Sequence, residues 1–173
     1  MNTKKVAIVM GSDGDLPAAK RASKVLESFG VESEMRIMSA YRTPVTTSKF
    51  SEIAADDGFG VIIVAAGRAA HLAGVIAAYT TLPVIGLPLR ASMLDELGAL
   101  LSIVQMPKGV PVAAVGIDCA ENAAFLAVQI LALSNDELKK KLSDSRKNLE
   151  EELLAKDLEL NLSVLDEISE ESH

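Results

Sequence analysis

The chain has 173 residues, 49% of them apolar, and a net charge of -7. This fits one domain with a sizeable core and leaves no sequence-wide basic field for a nucleic acid. Cys119 stands alone, which excludes an internal disulfide, and the sparse histidines give no Cys/His spacing for structural zinc. The apolar run 6–10 is too short for a signal peptide and no segment approaches the ~20 apolar residues of a membrane span, so a cytoplasmic protein with no membrane partner is expected.

Residues 6–10, Val-Ala-Ile-Val-Met, read as a strand apolar on both faces, followed by a glycine-rich turn at 11–15. A helix follows with Ala18, Ala22, Val25, Leu26 and Phe29 on one face, ended by Gly30. A second strand spans 31–38 and runs into a loop at 39–44, where Thr43-Pro44 supplies a cap and a first-turn proline for the next helix. Further buried strands are predicted at 61–66, 83–87 and 110–117, separated by helices near 71–79 and 92–104. This alternation predicts an α/β domain: a three-layer, doubly wound parallel sheet. A mostly apolar helix follows at 121–133, and Ser134-Asn135-Asp136-Glu137 has capping-box spacing for a last helix through about Lys156. Leu138, Leu142, Leu149 and Leu153 on that helix suit packing across another subunit or closure of the chain's own domain equally well. The single domain is read as residues 1–156, and the acidic stretch 157–173 as a frayed tail.

Ligands of open α/β sheets settle beyond the carboxyl ends of the strands, where three unusual loops fall. Loop 11–15 combines Gly11 and Gly14 with Ser12, Asp13 and Asp15. Its amides and Ser12 suit a phosphate and Asp15 suits ribose hydroxyls, although taken alone the loop favours an ordinary turn with Asp15 as N-cap. Loop 39–44 supplies Ser39, Tyr41, Arg42 and Thr43, with Arg42 able either to grip a phosphate or to form a surface ion pair. Loop 67–74 holds Arg68 and His71 among small residues; a histidine between apolar neighbours is more often a satisfied buried side chain than a catalyst.

Together these segments resemble the PurE family of aminoimidazole ribonucleotide enzymes of purine biosynthesis. The resemblance runs from about Val6 to Leu133 and rests on Met-Gly-Ser-Asp-Gly-Asp at 10–15, Ser-Ala-Tyr-Arg-Thr-Pro at 39–44, Ala-Ala-His-Leu at 69–72, Thr-Thr-Leu-Pro-Val-Ile-Gly at 80–86, and Leu-Ser-Ile-Val-Gln-Met-Pro at 101–107 followed by Gly-Val-Pro-Val at 109–112. It implies a flavodoxin-like subunit, an extended C-terminal helix that reaches neighbouring subunits, a homo-octamer with sites at its interfaces, and no metal or organic cofactor. The implied bacterial reaction moves a carboxylate from the exocyclic nitrogen of N5-carboxyaminoimidazole ribonucleotide to ring carbon 4, through carbon dioxide released in a closed pocket. Carried over by position, the resemblance implies that Ser12, Asp15 and Arg42 bind the ribose phosphate, with Gly11 and Ser39 beside them. Gly67, Arg68, Ala70, His71 and Leu72 then fall around the ring and carbon dioxide.

The chain departs from that family in three places. Tyr41 stands where the family has its acid/base histidine, in Ser-Ala-His-Arg-Thr-Pro. An ordinary phenol, with a pKa of ~10, donates a proton but is a poor base at neutral pH, whereas imidazole near ~6.5 serves both directions. Arg68 replaces a glycine usual in the bacterial mutases and makes Ala66-Gly67-Arg68 similar to the related animal-type carboxylases; its guanidinium suits a carboxylate or bicarbonate. Gly14 replaces a customary serine. The expectation is an enzyme acting on carboxylated aminoimidazole ribonucleotide, with Tyr41, Arg68 and His71 around the reacting carboxylate: a mutase first, and a carboxylase or decarboxylase using Tyr41 and Arg68 second. A non-catalytic ribonucleotide-binding paralogue is third.

Overall fold

Apolar residues on both faces of the central strands dictate a sheet covered on both sides. In a computed structural model, which describes residues 4–67, 70–90 and 96–170, five parallel strands form one sheet. They are β1 (Lys5–Met10), β2 (Ser33–Ile37), β3 (Phe59–Ala66), β4 (Val84–Pro88) and β5 (Ala113–Ala114), in the spatial order β2-β1-β3-β4-β5. The helices are α1 (Leu16–Ser28), α2 (Pro44–Ile53), α3 (His71–Ala78), α4 (Glu96–Val104), α5 (Ala120–Ala132) and α6 (Asp136–Glu170). This is the doubly wound, flavodoxin-like arrangement that the alternating pattern predicts.

The strand period of two divides the core. Val6, Ile8, Val61 and Ile63 face α1 and α5, whereas Ala7, Val9, Ile62 and Val64 face α2, α3 and α4. Each fully buried Val or Ile stabilises the fold by roughly 1.5–3 kcal/mol, so the central strands are its firmest part. Close approach matters too: a Cβ on Gly86 of β4 would lie 2.4 Å from Ile103 Cγ2 of α4, so glycine at that position lets helix and sheet touch. Because α1 follows β1 on one face and α2 leads to β3 on the other, the chain parts between the carboxyl ends of β1 and β3, where a ligand crevice belongs.

The structure shortens and moves several predicted elements. The strand expected at 110–117 shrinks to Ala113 and Ala114 in register with β4, extended by a bond from the Val115 amide to the Gly86 carbonyl at 3.2 Å, because Pro111 has no amide hydrogen to offer and Val110 is held in a turn to the Pro107 carbonyl. The edge strand β2 begins at Ser33 rather than residue 31, and its Met35 and Ile37 are exposed. At the start of α6 the cap is Asn135, whose Oδ1 accepts the Leu138 amide at 3.1 Å, rather than Ser134. Nor does α6 stop near Lys156. It continues through the acidic stretch expected to fray, to Glu170, since no glycine or proline interrupts it and Asn161 bonds back to Asp157 one turn earlier. Leu138 is buried against α5, but Leu149, Leu153, Leu154 and Leu158 lie exposed along the same helix. Among the described residues no helix is long and apolar enough to cross a membrane.

Candidate active site

The site grows from the loops that leave β1, β2 and β3. At the end of β1 the Gly11 amide still bonds to the Ala65 carbonyl of β3, at 3.2 Å. Ser12 is extended, and one 3-10 turn at Asp13–Asp15 then starts α1, with Pro17 in its first turn. Asp15 holds the N-cap position of α1, yet its carboxylate makes no cap bond to that helix; Oδ2 turns back and accepts the Ser12 amide at 3.0 Å. Partial burial pushes the Asp15 carboxyl above its ordinary range, with the Asp13 charge adding to the rise, while hydrogen bonds from Ser12 and Gly11 oppose it.

Loop 39–44 is organised by Ser39. Its Oγ accepts the amides of Tyr41 at 3.3 Å and Arg42 at 3.1 Å, and its carbonyl accepts the Thr43 amide at 3.0 Å. The sequence predicts a capping role for the Thr43 side chain, but its hydroxyl instead accepts the Ser39 amide at 2.9 Å and closes the loop. Position 43 is still the N-cap of α2, with Pro44 next. The Met38 amide bonds to the Met10 carbonyl, anchoring the loop beside the end of β1. From this frame Arg42 reaches across to loop 11–15, where its Nη2 donates to the Gly11 carbonyl at 3.1 Å. The loop thus brings the guanidinium to the Ser12 and Asp15 corner, a set of donors and acceptors of the kind that can take up an anion and hydroxyls.

The third loop leaves β3. Gly67 is half-buried, and its carbonyl accepts the amide of Ala70, which sits in the left-handed region at φ 44° and directs the chain into α3. Arg68, the proposed carboxylate holder, lies outside the described residues. His71 is the first residue of α3 and is exposed, so the buried-histidine reading of the sequence does not hold. Its Nδ1 is hydrogen-bonded to the Tyr41 hydroxyl, and the two rings meet edge to face with centroids 5.8 Å apart. Ala70 and Leu72 are buried in the core beneath, packed with the sheet face that carries α2 and α3. Gly74 lets the same helix approach Met106, whose Cε would be 3.1 Å from a Cβ there.

The three sequence-separated loops therefore make one site with two corners: Ser12, Asp15 and Arg42 at one, Tyr41 and His71 at the other. The sequence motifs carry this clustering without carrying the Tyr41 to His71 contact, since no spacing rule links residues on different loops. The roles of Ser39 and Thr43 as the loop's internal fasteners also escape a residue-type reading, because a serine or threonine beside an arginine looks like a ligand donor.

The AIR carboxylase family model matches residues 5–152, nearly the whole folded unit. The chain belongs to the AIR carboxylase, or PurE, family. It is 53% identical over 145 residues to an N5-carboxyaminoimidazole ribonucleotide mutase of Pyrococcus abyssi, covering 84% of this chain and 83% of that one. To the protein of the same name from Thermotoga maritima it is 47% identical over 152 residues, covering 88% and 89%. The crystal structure of Treponema denticola PurE superposes with a TM-score of 0.82 at 26% identity, covering 90% of this chain and 97% of that one. The PurE fold is thus retained over nearly the whole of this chain.

Proposed function

We propose that this PurE-family protein is an enzyme acting on carboxylated aminoimidazole ribonucleotide, first of all as an N5-carboxyaminoimidazole ribonucleotide mutase in purine biosynthesis. The observation that carries the reading is the Arg42 side chain laid against Gly11, beside Ser12 and Asp15, while Tyr41 of the same loop meets His71 at the start of α3. In this reading Ser12, Arg42 and the amides of the turn hold the phosphate, and Asp15 accepts ribose hydroxyls. Ser39 fixes the loop that presents Arg42 and Tyr41. The aminoimidazole ring then lies toward Gly67 and Ala70, with Leu72 supporting that wall from the core and Arg68 available to a carboxylate or carbon dioxide. The chain uses no metal or organic cofactor, and its partners are the ribonucleotide and carbon dioxide or bicarbonate.

Tyr41 also favours a second reading. Its hydroxyl is a proton donor, and protonation of ring carbon 4 is the step that releases carbon dioxide from the carbon-4 carboxylated isomer. A decarboxylase, or a carboxylase running in reverse, uses the same residues. The deciding experiment incubates the purified protein separately with N5-carboxyaminoimidazole ribonucleotide, its carbon-4 isomer, and aminoimidazole ribonucleotide plus bicarbonate, and identifies the products. Isomerisation without net loss of carbon dioxide is expected. Net formation of aminoimidazole ribonucleotide faster than in buffer replaces the mutase with the lyase, and binding without turnover replaces both with a ribonucleotide-binding paralogue.

We infer further that the subunit works as a homo-octamer in the cytoplasm. The exposed leucines of α6 supply an apolar face of the kind that a neighbouring subunit covers. Light scattering on the purified chain is expected to give eight times the subunit mass, and a truncation before Leu149 a smaller assembly.

A further inference from the structure

We propose that Tyr41 and His71 act as one proton relay, in which His71 holds the proton and Tyr41 carries it to and from the substrate. This inference rests on the ribonucleotide reading above and supplies the base that Tyr41 alone lacks. The fold does not require the contact. Ser39 and Thr43 set the loop through main-chain amides and carbonyls, without the phenol, and His71 begins a helix that packs through Leu72, Ala73 and Ile76. Both rings are exposed, Tyr41 to 71%, so neither is driven into contact by core packing. Yet the hydroxyl and Nδ1 meet, next to the corner where Arg42 reaches Gly11.

The chemistry of the pair follows from its atoms. A phenol oxygen both donates and accepts, and a neutral imidazole has one nitrogen of each kind, so a proton passing onto Tyr41 Oη lets its own proton pass to Nδ1. In the mutase direction, carbon 4 has already attacked carbon dioxide and bears both a hydrogen and the new carboxylate. The C4–H bond breaks and its electron pair returns to the ring. That proton goes to Tyr41 Oη as the phenolic proton goes to His71 Nδ1, leaving an imidazolium. The reverse shuttle delivers a proton through Tyr41 to the exocyclic nitrogen, so the ring is aromatic again and the pair is reset. Run from the carbon-4 isomer, the imidazolium form protonates C4 through Tyr41, and the C4–carboxylate bond breaks to carbon dioxide. No co-reactant beyond substrate and solvent protons is needed. Tyr41 is the group that touches substrate, and His71 acts through it as a positioning residue.

The test uses the full chain in deuterium oxide with aminoimidazole ribonucleotide as the probe, following exchange of the C4 hydrogen by proton NMR alongside turnover of the carboxylated isomers. His71→Asn keeps an oxygen acceptor for the phenol but cannot hold the proton. It is expected to lower both exchange and kcat by ~10²-fold or more, as Tyr41→Phe does, with ligand affinity within ~3-fold and the melting temperature unchanged. The double variant is expected to be no slower than the slower single variant, because the two residues act as a unit. Tyr41→His puts an imidazole directly at the substrate, so adding it to His71→Asn is expected to recover at least ~10-fold of the lost kcat. If His71→Asn keeps exchange and kcat within ~3-fold of wild type, or Tyr41→His gives no recovery, the relay is overturned while the ribonucleotide reading stands. A wild-type protein that neither exchanges nor converts any of the isomers overturns the ribonucleotide reading, and the relay with it.

Discussion

The two corners of the site share loop 39–44 and draw their other residues from the segments that leave β1 and β3, yet they are built differently. At the anion corner the main chain dominates: the Gly11 carbonyl receives Arg42, the Ser12 amide holds Asp15, and Gly11 remains tied to Ala65 of β3. At the proton corner the link runs between two exposed side chains, Tyr41 and His71. Between them stands Ser39, which grips the amides of Tyr41 and Arg42 but neither side chain. A binding corner specified by backbone geometry therefore survives a change of side chain at position 41. The chemistry at that position, which depends on what the side chain can do with a proton, does not. A chain about half identical to proteins named as mutases can thus hold one frame of main-chain bonds in these loops whatever side chain stands at position 41.

The comparison is broken most directly at Tyr41. Tyr41→Phe deletes the hydroxyl and little else, and general acid–base catalysis contributes ~10²–10⁴-fold, so kcat is expected to fall by that range while ligand affinity and melting temperature hold. Steady-state turnover with either carboxylated isomer, alongside calorimetric binding of aminoimidazole ribonucleotide, measures both halves. A Tyr41→Phe protein with full kcat would show that the two corners are not functionally separate.

Arg42→Ala strikes the other corner. A hydrogen bond to a charged group is worth ~1.5–3 kcal/mol, so binding of the phosphorylated ligand is expected to weaken by ~10–150-fold. The loss should appear chiefly in Kd and KM rather than in kcat, the reverse of Tyr41→Phe. Arg42→Lys should recover part of it, because a point charge replaces the fork.

Ser39→Ala tests the joint between the corners. It removes the acceptor of two amides in an exposed loop, which should cost about 1 kcal/mol of stability, a few degrees by thermal melting. Because the same loop aims Arg42 and Tyr41, affinity and kcat should both decline, each less than in the direct variants. A Ser39→Ala protein altered in affinity alone would place the hydroxyl on the ligand instead of in the loop.

How much of this was legible in the sequence follows from the same division. Strands 6–10 and 61–66 announce themselves because burial on both faces leaves an unbroken apolar run, and periodicity is a local signal. The two-residue β5 did not, since pairing at a sheet edge depends on which amides meet a neighbour, and Pro111 spoils an otherwise apolar stretch. The length of α6 was missed for the opposite reason: acidic residues at 157–170 look solvated, yet they include no helix breaker. The nearness of loop 11–15, loop 39–44 and the start of α3 was legible, because the alternating pattern puts all three at the carboxyl ends of the strands. The Tyr41 to His71 contact and the exposure of His71 were not, because both depend on how the left-handed turn at Ala70 starts α3.

Asp15 carries the smallest expected effect and the sharpest sign. Burial raises its carboxyl above the ordinary range, against the pull of the Ser12 and Gly11 hydrogen bonds. A carboxyl whose folded value lies above its unfolded one binds its proton more tightly in the folded state. Protonated Asp15 therefore favours the fold, fully so below the unfolded value, and that contribution is lost as the pH rises through the window up to the folded value. At neutral pH the charged form works against the fold. Asp15→Asn keeps an oxygen for the Ser12 amide and removes the charge, so it is expected to melt slightly higher than wild type at pH 7, with the advantage shrinking as the pH falls into the carboxyl range. Binding should move the other way, since an amide oxygen accepts ribose hydroxyls less strongly than a carboxylate. Melting curves across pH, paired with ligand titrations, read both signs. A variant that melts lower at pH 7 would mean that the hydrogen bonds to the carboxylate outweigh its burial, and the anion corner would then be held together by the charge it presents to the ligand.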